Sequence, residues 1–124
     1  VEAAIVGESL GGLFVLETFF LEPQLFDEYV AIDPSVWWAD AGLVTSADVR
    51  LGSMKGAGRA VFVATSNEPE MGALVARLSG SFAAHPGAGV RYHHEAFAGE
   101  SHATVFHPGA LAAFRTLFAP PAEK

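Results

Sequence analysis

Apolar residues along this chain fall into two alternating patterns, short unbroken runs and longer stretches with helical spacing. Residues 3–6 (Ala-Ala-Ile-Val) make a first run of strand length. Residues 10–21 carry Leu10, Leu13, Phe14, Val15, Leu16, Phe19 and Phe20. That stretch is apolar nearly all round, which predicts a helix buried deep in a domain, stopped by Pro23. Residues 29–33 (Tyr-Val-Ala-Ile-Asp) are a second strand, ended by Pro34. A short helix is expected over 45–54, followed by a loop at Gly56-Ala57-Gly58. Residues 60–65 (Ala-Val-Phe-Val-Ala-Thr) read as a parallel strand covered on both faces. Pro69 suits a first helical position, and Met71, Leu74, Val75, Leu78 and Phe82 then form one apolar stripe. A fourth strand is predicted over 90–97, after the loop Pro86-Gly87-Ala88-Gly89. A last amphipathic helix is expected over 108–118, with Leu111, Phe114, Leu117 and Phe118 on its inner face and residues 119–124 as a frayed tail.

Strands alternating with helices in this order predict an α/β domain. Its sheet should be mostly parallel, with about four strands and right-handed βαβ crossovers. The 124 residues suffice for one domain, 1–124, and no internal repeat divides it.

Composition narrows the partners. At 51% hydrophobic and 17% charged residues, the chain is core-forming rather than disordered. A net charge of −7 without a basic run argues against nucleic acid or an anionic membrane surface. The absence of cysteine excludes disulfides, thiolate catalysis and Cys-based zinc sites. No window is long and apolar enough to span a bilayer, and Glu17 interrupts the longest run. The chain opens at Val1 rather than Met and enters a strand almost at once, which points to a fragment or a processed chain. A targeting segment would then not be visible, and the compartment stays unassigned, with the cytoplasm slightly favoured.

The first strand leads straight into Gly7-Glu8-Ser9-Leu10-Gly11 and then the first helix. G-x-S-x-G between a strand and a helix is the context of a nucleophile elbow, where a strained turn lifts the serine Oγ clear of the sheet. Gly7 and Gly11, lacking a Cβ, are expected to let strand and helix close around the turn. The Leu10 N–H, at the helix N-terminus, is then the expected oxyanion donor. The same glycine-rich turn could instead cradle a phosphate, although neither G-x-x-x-x-G-K-[ST] nor G-x-G-x-x-G is present.

A nucleophilic serine needs a base, itself oriented by a carboxylate. In hydrolases built on this elbow the chain order is Ser, acid, His. His102 follows the fourth strand on a polar loop and is the candidate base. Glu68 follows the third strand and is the candidate acid, with a dipole-favoured carboxylate at a helix N-terminus as its alternative reading. Glu70 fits both readings less well, and Glu100 is too close in sequence to His102 to face it. His93 and His94 lie within a strand, His107 reads as a helix cap or surface residue, and no histidine pair has a familiar metal-ligand spacing. No cofactor is called for. Trp37 and Trp38, just past the second strand, either wall a substrate pocket or anchor the core.

Gly-Glu-Ser-Leu-Gly-Gly-Leu at 7–13, Asp-Pro-Ser-Val-Trp-Trp at 33–38 and Phe-Ala-Gly-Glu-Ser-His at 97–102 together resemble the putative-esterase branch of the α/β-hydrolase superfamily. That branch includes esterase D and the enterochelin esterases, and its IroE-like members are the most similar. The resemblance runs from residue 3 to about 118. It implies a partial α/β-hydrolase fold, the C-terminal portion starting at the elbow strand, with Ser9 as nucleophile and His102 as base. Some family members work with a Ser–His pair alone. Asp33 stands where the family usually has Ser. The family also carries several strands before the elbow, one of which leads to a second oxyanion donor, and they have no counterpart in residues 1–6. Loss of one such donor typically costs about 10²–10³ in rate.

Two functional expectations follow. One is a serine ester hydrolase that forms an acyl-enzyme on Ser9 and acts on a small-molecule ester. The other is a catalytically silent, truncated hydrolase-like domain that self-associates through an exposed sheet edge or binds a partner. A phosphate- or nucleotide-binding module rests on the glycine-rich turn alone.

Overall fold

The computed structural model describes residues 2–118; the expected frayed tail at 119–124 lies outside them. Four strands alternate with four helices: β1 (Ala4–Glu8), α1 (Leu10–Leu21), β2 (Glu28–Ile32), α2 (Trp38–Ser53), β3 (Arg59–Thr65), α3 (Pro69–Ala84), β4 (Val90–Ala96) and α4 (Phe106–Leu117). The strands form one parallel sheet in the order β1-β2-β3-β4. Each neighbouring pair therefore needs a crossover, which the intervening helix supplies.

The pleat of the two central strands sorts the core into two layers. Tyr29 and Ala31 of β2, with Val61 and Val63 of β3, pack against Val15, Leu16 and Phe19 of α1, Leu43, Val44 and Leu51 of α2, and Val75, Leu78 and Phe82 of α3. Val30, Ile32, Phe62 and Ala64 face the other way and are covered by α4. Every residue of β2 and all but the first of β3 are buried, as an unbroken β-branched run requires of a doubly covered strand.

Three expectations about the helices change. First, α1 buries Gly12, Val15, Leu16, Phe19 and Phe20, whereas Leu10, Phe14 and Leu21 are more than half exposed. An all-round apolar helix is thus covered on one side only among the described residues. Second, α4 does not bury Leu111, Phe114 and Phe118. It packs through Gly109, Ala110 and Ala113. A Cβ at Gly109 would lie 3.0 Å from the Ala64 Cβ and 3.3 Å from the Ile32 Cδ1, so the small residues are what allow the helix to lie close on the sheet. Third, α2 begins seven residues earlier than expected. Ala39, Asp40 and Ala41 take left-handed backbone angles within it, so the regular right-handed helix starts after them.

Candidate active site

The loops leaving β1, β2, β3 and β4 meet at the carboxyl edge of the sheet, where open α/β folds bind ligands. Ser9 occupies the turn between β1 and α1 with φ 60° and ψ −122°, a strained conformation for a residue with a side chain. Backbone hydrogen bonds hold it there. Its N–H donates to the Ile32 carbonyl at 3.0 Å, and its carbonyl accepts the Ser35 N–H at 3.0 Å. The turn can close because Gly7 has no Cβ: one placed there would lie 2.3 Å from the Gly11 carbonyl oxygen. The second tight glycine is Gly12, not Gly11. A Cβ on Gly12 would lie 3.1 Å from Pro34, whereas one on Gly11 would meet nothing within 4 Å. Leu10 opens α1, and its N–H has no backbone acceptor among the described residues.

His102 lies on the loop between β4 and α4. Its Nε2 is 3.2 Å from the Ser9 Oγ, and its Nδ1 is 2.6 Å from an Asp33 carboxylate oxygen. The loop is tied at several points. Asn67 N–H donates to the Glu100 carbonyl at 2.9 Å, and Ser101 accepts the Val105 N–H on its carbonyl at 3.0 Å. The Ser101 Oγ also accepts the Ala103 N–H at 3.2 Å.

The carboxylate at His102 is Asp33, not Glu68. Asp33 is fully buried just past the end of β2, with φ 46°. One of its oxygens accepts the Ser66 N–H at 2.9 Å; the other accepts the Ser66 hydroxyl at 2.7 Å and faces His102 Nδ1. A buried carboxylate requires such donors. Glu68 instead caps α3, exposed, with its N–H donating to the Ser66 Oγ at 3.3 Å. Its side chain borders the same cleft as Ser9 and His102 but makes no hydrogen bond to the imidazole. The visible signal for Asp33 was a carboxylate directly after an apolar strand and before Pro34; chain order alone directed attention one strand too late.

No family model matches the chain. A stretch of 44 residues is 46% identical to a siderophore enterobactin esterase of Emericella nidulans, covering 36% of this chain and 14% of that protein. A stretch of 35 residues is 51% identical to a siderophore triacetylfusarinine C esterase of Aspergillus fumigatus, covering 28% of this chain and 12% of that one. The structure superposes on the IroE-like serine hydrolase of Shewanella oneidensis with a TM-score of 0.87 at 24% identity, over 98% of this chain.

The fold is that of an IroE-like serine hydrolase.

The chain spans 41% of the length of that hydrolase. In sequence it resembles the siderophore esterases. Within this IroE-like fold, Ser9, Ser35, Trp37, Glu68, Met71 and His102 line a cleft of about 300 Å³. A larger cleft of about 570 Å³ is lined by Leu10, Phe14 and Trp38, among others. The two indole rings lie 5.8 Å apart at 60°, and both are substantially exposed, so neither anchors the core. The remaining histidines stand apart from the site. His93 stacks on Phe62, His94 Nε2 is 2.9 Å from the Thr65 hydroxyl, and His107 is exposed in the first turn of α4.

Proposed function

We propose that this chain carries the acyl-transfer machinery of a serine ester hydrolase, with siderophore esters as the substrate class. The observation that supports it is the continuous hydrogen-bonded line from Ser9 Oγ through His102 to buried Asp33, starting at a strained elbow. The sequence resemblance to siderophore esterases supports the substrate class.

In this reading the Asp33 carboxylate accepts the His102 Nδ1–H, which leaves Nε2 as the acceptor for the Ser9 hydroxyl proton. Ser9 Oγ attacks the ester carbonyl carbon as its proton passes to Nε2. The Leu10 N–H donates to the oxyanion that forms. Collapse breaks the ester C–O bond, and the departing alkoxide takes the proton from His102. Water then attacks the acyl carbon while His102 accepts its proton. The bond to Ser9 Oγ breaks, and Ser9 recovers a proton from His102 as the acid leaves. Trp37, at the rim of the cleft beside Ser9, and Trp38, in the adjoining one, serve as substrate-binding surfaces.

Intact-mass measurement after fluorophosphonate treatment tests this reading. A single adduct on the wild-type chain that Ser9→Ala lacks is expected. Equal labelling of both, or of neither, refutes it.

The exposed apolar residues Leu10, Phe14, Leu111, Phe114 and Phe118, together with the edge position of β1, favour a second reading. Here the domain self-associates and is catalytically silent. Light scattering that finds a monomer over the micromolar range refutes it.

A further inference from the structure

Ser35 lies outside the Ser–His–Asp line, yet its hydroxyl is within hydrogen-bond reach of the Ser9 hydroxyl. Its Oγ is 3.3 Å from the Ser9 Oγ, and the residue is only 2% exposed. Backbone bonds clamp it on both sides. Its N–H donates to the Ser9 carbonyl at 3.0 Å, and its carbonyl accepts the Trp38 N–H at 3.1 Å. Pro34, just before it, rests against Gly12 of α1, where a Cβ would come within 3.1 Å. The backbone that carries the hydroxyl is thus held at several points.

Proton counting gives the direction of the bond. With His102 Nδ1–H donating to Asp33, Nε2 is the acceptor and the Ser9 O–H donates to it. The Ser9 Oγ then has only lone pairs left to offer. Ser35 must be the donor, and its hydroxyl has no other partner among the described residues.

We propose that Ser35 is a catalytic residue of the acyl-transfer step, a hydroxyl donor to the reacting oxygen of Ser9; this rests on the Ser9–His102 reading above. As the Ser9 proton moves to His102, negative charge develops on the Ser9 Oγ, and a hydrogen bond to a charged oxygen is roughly twice as strong as one to a neutral oxygen. The Ser35 O–H therefore stabilises the charged oxygen more than the resting hydroxyl, as catalysis requires. In deacylation the Oγ–carbon bond breaks, the Ser9 Oγ departs with the electron pair, and it regains its proton from His102. The same donor faces that leaving oxygen. Ser35 keeps its own proton throughout.

The second-order rate of fluorophosphonate labelling, read by intact mass, tests the proposal in wild type, Ser9→Ala, Ser35→Ala, Ser35→Thr and Ser35→Val. Circular dichroism and thermal melting of each variant accompany it. Loss of a donor to a developing charge should slow labelling of Ser35→Ala by about 10–100-fold with an unchanged melt. Ser35→Thr and Ser35→Val have nearly the same size, so labelling that is faster in the Thr variant reports the hydroxyl itself. Wild-type labelling rates in Ser35→Ala, or equal rates in the Thr and Val variants, overturn the role of Ser35 and leave Ser9 standing. Absence of a Ser9-dependent adduct on the wild type overturns the catalytic reading and this proposal with it.

Discussion

His102 Nδ1 lies 2.6 Å from the carboxylate of Asp33, a residue 69 positions earlier in the chain. A buried carboxylate on Nδ1 selects the imidazole tautomer whose Nε2 can take a proton from Ser9. The carboxylate beside His102 therefore comes from the end of β2, one strand before the place that chain order suggested.

Exchanging the two carboxylates separates these positions. Asp33→Asn should lower the fluorophosphonate labelling rate by about 10²–10⁴-fold, because an amide at this place favours the wrong tautomer. Glu68→Gln, at an exposed helix cap, should change the rate by about twofold or less. Labelling kinetics on both purified variants decide the matter; a large loss in Glu68→Gln with Asp33→Asn intact would return the role to Glu68.

Ser66 supplies two of the hydrogen bonds that Asp33 accepts, one through its hydroxyl at 2.7 Å. Removing the hydroxyl leaves a buried carboxylate short of one donor. Ser66→Ala should cost about 1–3 kcal/mol of folding stability in a urea titration. A cost near zero would mean that the backbone N–H and His102 suffice.

The elbow glycines should respond oppositely. Gly7→Ala places a Cβ 2.3 Å from a backbone oxygen, and backbone atoms cannot rotate aside. The expected loss is about 1–3 kcal/mol or more, together with loss of labelling. Gly11→Ala finds open space within a helix and should be neutral or stabilising by up to about 1 kcal/mol. Equilibrium unfolding of the two variants checks the pair.

Glu28 should give the fold a pH dependence far from the cleft. It is buried at the start of β2, and its Oε2 has no hydrogen-bond partner among the described residues. Burial, the neighbouring Glu2 carboxyl and the charge of Asp27 push its pKa up from 4.5 to about 7. A folded-state pKa above the unfolded value means that the native state holds the proton more tightly. That stabilisation is present below about pH 4.5 and is lost as pH rises through about 7. The melting temperature should therefore fall between those values, and Glu28→Gln should flatten the fall. His94 acts in the opposite sense: burial lowers its pKa, so its contribution is lost as pH drops below the ordinary histidine range. Thermal melts of the wild type, Glu28→Gln and His94→Gln across this range separate the two groups.

Much of the architecture was legible along the chain. Strand and helix periods, Pro23, Pro34 and Pro69, and the glycine clusters mark the elements through local sterics and hydrophobic spacing, which neighbours in sequence dictate. The place of Ser9 on a strand-to-helix turn, and of His102 beyond the last strand, follows from the same local rules. Element edges were less readable. Ala39, Asp40 and Ala41 carry no mark of their left-handed backbone, so the early start of α2 was not apparent.

What only the tertiary structure decided are the choices among chemically equivalent residues. Asp33 and Glu68 both follow strands, and only the approach of the loops after β2, β3 and β4 puts one of them on His102 and buries it between the Ser66 donors. In α4, hydrophobicity favoured Leu111, Phe114 and Phe118, but close packing on Ile32 and Ala64 favoured the small side of the helix. At the elbow, pattern pointed to Gly7 and Gly11, whereas the neighbours in space require Gly7 and Gly12. Periodicity and turn chemistry act over a few residues and can be read from the chain; burial and distance between residues far apart in sequence exist only once the sheet has formed.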